Sequence, residues 1–217
     1  MSKKILIVIF VLLTSNYFTY AFDNGDFQIW HKEKQSKKIN DFYKIVMEEE
    51  FKFGDNAHDF YAYYIDAGLL RKINNFLDIS LNYRQAYKKK DGKFKRENRP
   101  HLNFFLKGEW KGFEFEDRNR FMYRHFDYQD DYARYTNKIC VVFPWKFSRF
   151  NIRPYIEEEA FINLNEEGFS ENEFTAGFLM SLTKNIKAEI YYLLQHSQES
   201  DHWPRTNVFG TTLKISF

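Results

Sequence analysis

From Asp41 to the C-terminus, apolar and polar residues alternate with a period of two, which is the pattern of β-strands that have one apolar face. The clearest stretch is Thr206–Phe217. On one face lie Phe209, Thr211, Leu213, Ile215 and Phe217, and on the other lie Gly210, Thr212, Lys214 and Ser216. Such a strand, ending on a terminal Phe, is typical of the closing strand of a bacterial outer-membrane barrel.

The same alternation marks about ten strands after Asp41, each near the roughly 9–11 residues that a tilted strand needs to cross a membrane. The sequence therefore predicts an all-β fold, an antiparallel up-and-down transmembrane β-barrel of about ten strands. Twelve strands is the alternative if one hairpin is assigned wrongly. Residues 22–217 suit a single domain of this kind.

Two features orient the predicted barrel. Long charged connections follow Tyr87, Arg124, Asn163 and Gln195, and short connections follow Leu70, Trp110, Trp145 and Leu182. Long outer loops and short periplasmic turns are the usual asymmetry of these barrels, with Gly54–Ala57 as an exception here. Four aromatic residues at the short-turn ends suggest a periplasmic girdle: Trp110, Phe113, Phe143 and Trp145.

The segment 22–40 is harder to assign because Lys32–Lys38 is mostly charged. Counting back from the closing strand, the strand that begins near Asp41 must already start in the periplasm. A further spanning strand would make the strand number odd. We therefore predict that residues 22–40 form a periplasmic or lumen-inserted segment.

The N-terminus has the pattern of a cleaved signal peptide. Lys3 and Lys4 precede a short apolar run, and Thr19-Tyr20-Ala21 provides small residues for cleavage. Residues 1–21 are therefore predicted to be removed, which predicts export. Without the two lysines the formal charge of +2 disappears, and a near-neutral chain argues against nucleic acid as a partner.

Composition leaves one alternative fold open. The chain has 25 Phe and 15 Tyr, yet its mean hydropathy of −0.61 is polar. Alternation alone also fits a soluble lipocalin-like barrel or a β-sandwich, in which the apolar faces would point inward. The single Cys140 forms no internal disulfide and is interpreted as a small buried or lipid-facing residue.

Two stretches carry a family resemblance. Glu116–Arg124 (EDRNRFMYR) and Arg153–Asn163 (RPYIEEEAFIN), together with Trp30 and the aromatic strand Ile190–Gln195, resemble the bacterial family called domain of unknown function 2490. The resemblance implies an exported outer-membrane barrel. It implies no activity, because the family has none assigned.

The candidate functional residues are charged side chains that the alternation places inside the barrel. The predicted lumen cluster comprises Glu48, Glu50, Arg84, Glu116, Arg118, Arg120, Arg124, Arg153, Glu157 and Glu159. Buried charges must be paired, so one interpretation is a structural plug of ion pairs. The other is a narrow, porin-like polar path whose charges select a small solute.

An enzyme at the outer rim is the alternative function. His196, Ser197, Glu199, Ser200, Asp201 and His202 cluster in the last predicted outer loop, and His125 lies in another. No G-x-S-x-G elbow frames these residues. Glu157 and Glu159 have a spacing that acid–base chemistry could use, but pairing with a neighbouring arginine explains them more simply.

The predicted partners follow from location. No metal site or cofactor is expected, because the six His lack ligand spacing. Expected partners are outer-membrane lipid, lipopolysaccharide through the basic loop Lys88–Arg99, and the barrel-assembly machinery through the C-terminal strand and its Phe217. The sequence thus predicts a Gram-negative outer-membrane protein, structural or a narrow polar pore, whose solute it does not identify.

Overall fold

A computed structural model describes residues 25–165, 168–198 and 203–217. The predicted signal peptide, residues 1–21, lies outside the described residues. The chain forms eleven strands: β1 (Phe27–Lys38), β2 (Tyr43–Gly54), β3 (Asp59–Lys72), β4 (Leu77–Lys90), β5 (Lys93–Trp110), β6 (Phe113–Phe126), β7 (Tyr132–Val142), β8 (Arg153–Asn163), β9 (Gly168–Ser181), β10 (Ile186–Ser197) and β11 (Arg205–Ser216). No helix among the described residues is long and apolar enough to cross a membrane.

The strands form one closed barrel in which each strand from β2 to β11 pairs antiparallel with its sequence neighbours. The barrel closes between β1 and β11, and this pair is parallel. His31 lies opposite Thr211 and Glu33 opposite Leu213 in the register of the junction. Closure leaves no unpaired strand edge, and it excludes the β-sandwich alternative.

The barrel fold confirms the predicted all-β barrel, but the predicted number of ten strands, with twelve as the alternative, was wrong. Residues 27–38, which we expected in the periplasm or the lumen, are a strand of the wall. The alternation of apolar and polar residues did not indicate this strand, because its outer face carries His31, Glu33 and Gln35 rather than apolar side chains. With this strand the wall has eleven strands. When an odd number of consecutive strands pair antiparallel, the first and the last strand run in the same direction, which is why β1 and β11 pair in parallel.

We call the end of the barrel at which β1 and β11 both begin the N-terminal end. We call the opposite end, at which the chain reaches Phe217, the C-terminal end. There Phe217 N donates to Ser36 O at 2.9 Å, which fixes the last residue to β1. The first strand therefore starts at the end of the barrel opposite to Phe217.

The predicted difference in loop length is not found in the described part of the chain. The supposed long basic loop is a hairpin, because β4 continues to Lys90 and β5 starts at Lys93. Asp91 and Gly92 both have positive φ, at 52° and 72°, as a tight two-residue turn requires. A short connection was expected after Trp145, but β7 already ends at Val142 and the connection spans residues 143–152. Lys111-Gly112 forms a two-residue turn at the short connection that was predicted after Trp110.

The outer face of the barrel is largely apolar. Large apolar side chains are exposed there on most strands, among them Ile45, Met47, Ile65, Leu69, Leu81, Leu106, Phe121, Ile139, Ile156, Phe178, Ile190 and Phe209. Two polar patches interrupt this surface. One, on β1, β2 and β11, contains His31, Glu33, Gln35, Glu49 and Thr211, and the other, on β6 to β9, contains Asp117, Asn119, Asn137, Glu158 and Asn172.

Aromatic side chains gather at both ends. At the C-terminal end, Phe143 packs on Phe113 at 5.6 Å and on Trp145 at 5.1 Å between ring centroids, in the predicted girdle region. Trp110 lies at the same end and is exposed. Toward the N-terminal end, Phe60 contacts Phe53 and Phe94 at 5.3 and 5.6 Å.

The inner surface of the barrel has a charged part and an apolar part. Charged side chains cover most of it, but an apolar cluster lies beside the β1–β11 junction. This inner cluster comprises Trp30, Tyr155, Tyr191, Leu193 and Val208. Its members come from β1, β8, β10 and β11, so it packs the inner side of the junction. The hydrophobic core of the barrel therefore lies where the chain closes on itself.

Candidate functional site

A cavity of about 1000 Å³ occupies the lumen. Among the described residues its lining contains fourteen Lys and Arg side chains and eleven Glu side chains. Cys140 also lines it, half-buried, and therefore lies on the lumen side of the wall rather than on its outer side. The interior is therefore polar, close to charge balance, and slightly basic.

All ten side chains of the predicted lumen cluster lie on the inner side of the wall. Nine of them line the cavity: Glu48, Glu50, Arg84, Glu116, Arg118, Arg120, Arg124, Glu157 and Glu159. The tenth, Arg153, lies at the C-terminal end, where its Nε donates to Phe143 O at 2.9 Å and its guanidinium pairs with Glu114. Their role in function stays a prediction.

One network of charges joins β1 to β4. Arg84 lies between two carboxylates, with Nε 2.8 Å from Asp66 Oδ2 and Nη2 3.2 Å from Glu48 Oε1. Glu48 also accepts a hydrogen bond from Tyr64 OH, and Lys34 Nζ lies 3.1 Å from its second oxygen. Each charge in this group thus has an opposite charge beside it.

Trp30 and Glu50 extend this network into the N-terminal half of the lumen. Glu50 binds Lys32 Nζ at 3.0 Å and Lys52 Nζ at 3.3 Å. Lys52 Nζ also lies 3.2 Å from the centroid of the Trp30 ring. The strand that sequence analysis placed outside the wall therefore supplies Lys32 and Trp30 to the site.

A second network joins β6, β7 and β8. Arg118 pairs with Glu159, and Lys138 contacts both Glu157 and Glu159, the latter at 3.2 Å. Lys138 was missed by sequence analysis, although it alternates with the outward-facing Ile139 and could have been found. Because Lys138 and Arg118 hold both carboxylates, Glu157 and Glu159 have the geometry of ion-pair partners rather than of an acid–base pair.

Further toward the N-terminal end, Glu97 accepts hydrogen bonds from Arg99 at 2.6 Å and from Arg124 at 2.9 Å. Arg134 Nη1 lies 3.6 Å from Glu171 Oε2. Glu97 and Arg99 had been placed in a loop, so sequence analysis could not assign them to the lumen. The extended β4–β5 hairpin brings them there.

Arg120 differs from the other lumen arginines named above. Its Nε donates to Asn103 Oδ1 at 2.7 Å. No carboxylate among the described residues lies within 4.0 Å of its guanidinium, although the residue is only 9% exposed. Arg120 is therefore a buried cation with one neutral partner.

The structure describes only some of the groups that could have served an enzyme at the outer rim. His196 and Ser197 lie in β10, and Glu199, Ser200, Asp201 and His202 lie outside the described residues. His125 Nδ1 contacts Asp131 Oδ2 at 2.6 Å at the rim. This contact and the Phe126 N–H hydrogen bond, at 2.9 Å, hold the pKa of Asp131 below its ordinary value. In the described part of the chain, no group of three His, Cys, Asp or Glu could hold a metal ion.

The barrel resembles solved structures. A structure titled NanC porin matches with a TM-score of 0.51 and 9% identity, over 83% of this chain and 94% of that one. LpxR from Salmonella typhimurium matches with a TM-score of 0.49 and 7% identity, over 80% and 83% of the two chains. The β-domain of the Bordetella autotransporter BrkA gives 0.49 and 10%, over 78% and 82%. At this identity the likeness to NanC shows a shared fold alone.

Comparison with the curated proteins finds no match. A family model does match, over residues 27–206, and it covers all of the strands except most of β11. The match includes the lumen cluster and both stretches, in β6 and in β8, that carried the resemblance. The chain therefore belongs to the family described as protein of unknown function, DUF2490.

Proposed function

We propose that this protein is a membrane-spanning β-barrel of a Gram-negative outer membrane and that its lumen is a narrow polar passage for a small solute. The observation that carries the proposal is the distribution of charge and apolar surface between the two sides of the wall. Lys, Arg and Glu side chains, many of them ion-paired, line the inner side, and large apolar side chains cover most of the outer side.

The outer surface favours lipid over water as the environment. Leu81, Ile139 and Phe178 are 66%, 50% and 49% exposed, and such side chains occur on most strands. Soluble proteins rarely expose apolar patches of this extent, whereas lipid-facing strands of outer-membrane barrels have them. A soluble ligand-binding barrel would direct its apolar faces inward, so this arrangement argues against that alternative.

The outer polar patch on β6 to β9 is compatible with a lipid environment because its groups bind one another. On β6 and β7, Asn119 Nδ2 donates to Asp117 at 3.1 Å, and Asn137 Nδ2 also reaches Asp117, at 2.5 Å. Asn172 Nδ2 donates to Glu158 at 2.5 Å. Polar groups in contact with lipid must find partners within the protein, and these groups do.

A passage is supported by the direction of the ion pairs. The lumen pairs join residues of the same strand, of neighbouring strands, or of strands two apart, such as Arg84 with Glu48 and Arg118 with Glu159. They therefore run along the wall and do not cross the lumen, and a volume of about 1000 Å³ remains. This favours a polar path over a plug.

The membrane proposal is tested by the electrophoretic mobility of the protein recovered from outer-membrane fractions. A closed barrel that resists detergent migrates faster without heating than after boiling. Recovery only from the soluble periplasm, without a heat-dependent shift, would contradict the membrane proposal.

The passage is tested separately, with purified protein in planar lipid bilayers. Discrete single-channel steps are expected, and Glu159→Gln should change their size because it removes a lumen charge. A folded, heat-modifiable barrel that gives no steps in any variant would contradict the passage and leave a structural role.

The C-terminal strand is proposed to bind the barrel-assembly machinery through Phe217, which is 69% exposed. Lipid and lipopolysaccharide are the other proposed partners. Deleting Phe217 should lower the amount of heat-modifiable protein in the outer membrane, whereas Phe217→Tyr should preserve it. Equal yields for the deletion and the intact chain would contradict the role of this residue.

A further inference from the structure

The middle of the β4–β6 wall carries three arginines whose pairing differs. Arg84 binds Asp66 and Glu48, and Arg118 binds Glu159. Arg120, from the same strand as Arg118, has no carboxylate within 4.0 Å among the described residues. The wall therefore contains two neutralised guanidinium groups and one that has no counter-ion.

The side chain of Arg120 is held in a fixed position. Its Nε donates to Asn103 Oδ1 at 2.7 Å, and Asn103 Nδ2 donates in turn to Ser80 Oγ at 2.9 Å. Asn103 is only 2% exposed, so this support is rigid. Because Nε is used by Asn103, the two terminal nitrogens of Arg120 are left for another acceptor, and no described protein atom accepts from them. The residue lines the cavity.

The surroundings of Arg120 contain further polar groups without partners. Thr136 lies opposite Arg120 in the β6–β7 register, and its buried Oγ1 has no hydrogen bond. Arg118 Nε also has no hydrogen-bond partner. His101 Nε2 forms no hydrogen bond either, but it lies 3.4 Å from Asp66 Oδ2, and the His101 side chain is 1% exposed. Buried polar groups without partners are rare in native proteins and call for an explanation such as a ligand or water.

An isolated buried cation is unfavourable, because no opposite charge offsets the desolvation of its own charge. The cost is offset when an anion occupies the site. A planar guanidinium with two free terminal N–H groups matches an oxyanion, a carboxylate or a phosphate, through two parallel hydrogen bonds. The excess of basic over acidic side chains around the cavity favours the same sign of solute.

We propose that Arg120 is the binding site of a small oxyanion in the lumen, and that it makes the passage selective for anions. This inference rests on the proposed passage and adds the chemical class of its solute. The carboxylates beside Arg84 and Arg118 neutralise these two arginines, so Arg120 is the one of the three that is left to bind an anion. Asn103 is the residue that positions Arg120.

The test measures ion selectivity in planar bilayers across a KCl gradient, followed by titration with inorganic phosphate. The wild-type channel should prefer chloride to potassium, and phosphate should reduce the chloride current. Arg120→Gln should lower the chloride-to-potassium permeability ratio by about threefold or more and abolish the effect of phosphate. Arg120→Lys should keep most of the selectivity but weaken the phosphate effect, since a lysine lacks the paired N–H geometry.

Lys187→Gln is the matched control. Lys187 lines the cavity and forms no ion pair in the described structure, so this variant removes one positive charge away from Arg120. It should change selectivity less than Arg120→Gln and leave the phosphate effect intact. Equal effects of the two variants would show that only net charge matters, and a cation-selective wild-type channel would overturn the proposal.

The proposed binding site and the proposed passage can be tested separately. If the wild-type barrel shows no conductance, phosphate binding to the detergent-solubilised barrel is measured by calorimetry. Binding to wild type that is lost in Arg120→Gln would support the site although the passage had failed. No binding to wild type, with the barrel folded by heat-modifiable mobility, would overturn the site as well.

Discussion

The outer faces of β1 and β4 are opposite in character, although both strands belong to the same wall. On β4 the outward residues are Leu77, Ile79, Leu81 and Tyr83, and on β1 they are Ile29, His31, Glu33 and Gln35. On β1, Glu33 lies opposite Glu49 of β2, so two carboxylates meet on the outer surface. Like charges directly opposite each other destabilise a strand pair.

The inner faces of the two strands explain why β1 is nevertheless part of the wall. Trp30, which is 3% exposed, belongs to the inner cluster with Tyr191 and Val208. β4 instead presents Arg84 and Ser80 to the lumen. Inner packing and the backbone hydrogen bonds to β2 and β11 therefore hold β1 in the wall, whereas β4 also has an apolar outer face that suits contact with lipid.

The largest effect is expected from Trp30→Ala. The change removes the β1 side chain of the inner cluster and its contact with Lys52, so it should cost about 3–5 kcal/mol of unfolding free energy. Urea titration of the detergent-solubilised barrel measures the loss. Trp30→Phe, which keeps an aromatic ring, should cost much less, and a neutral Trp30→Ala would contradict the role of the inner cluster.

The place of β1 can be checked without a change in stability. In a Cys140→Ser background, His31→Cys with Thr211→Cys should form a disulfide, because the native side chains hydrogen-bond at 2.8 Å. His31→Cys with Leu213→Cys, two residues out of register, is the control. A crosslink in the control pair alone would show that the parallel register is wrong.

The second largest loss of stability is expected when a cation is placed on the outer face of β4, whereas the outer face of β1 should tolerate one. Leu81→Arg puts a cation between the apolar Leu69 and Leu102, and it should cost about 2–4 kcal/mol near the middle of a bilayer. Glu33→Arg on β1 should be tolerated, because the new cation faces Glu49. Refolding yield into lipid vesicles, with heat-modifiable mobility as the readout, measures both. Equal tolerance would mean that β4 does not face lipid.

A smaller loss is expected from Gly210→Ala at the β1–β11 junction. A Cβ at this position would lie 2.0 Å from Cζ of Tyr191, so the ring must leave its place in the inner cluster, at a cost of about 1–3 kcal/mol. Gly108→Ala is the matched control, since nothing lies within 4 Å of its added Cβ. Thermal melting should distinguish the two variants, and identical melting temperatures would contradict the packing of Tyr191 on Gly210.

The smallest expected effect is a gain in stability. Glu49→Leu removes the like-charge contact with Glu33 and adds an apolar side chain to the outer face, so stability should rise by roughly 0.5–1 kcal/mol. Glu33→Gln removes the same repulsion without adding apolar surface and should give part of the gain. A loss of stability in Glu49→Leu would show that the outer carboxylates have a partner that this chain does not supply.

Much of the fold could be predicted from alternation, because a strand in a barrel wall must satisfy two environments at once. The lumen cluster was found this way, since Arg118, Arg120 and Glu159 alternate with outward-facing neighbours. The assignment failed at Phe27–Lys38, where the outer face is polar, and at Lys88–Arg99, where the charged residues were assigned to a loop although they continue two strands.

Amino-acid order alone determined the two-faced strands, the sign of each lumen charge and the turn at Lys111-Gly112. These properties are local, because they depend on a period of two and on backbone conformation. Only the tertiary structure decided that eleven strands close, that β1 pairs with β11 in parallel, and that Arg120 lacks a carboxylate while Arg118 has Glu159. Closure and ion pairing depend on contacts between residues far apart in the chain, and strand alternation carries no information about which distant residues meet.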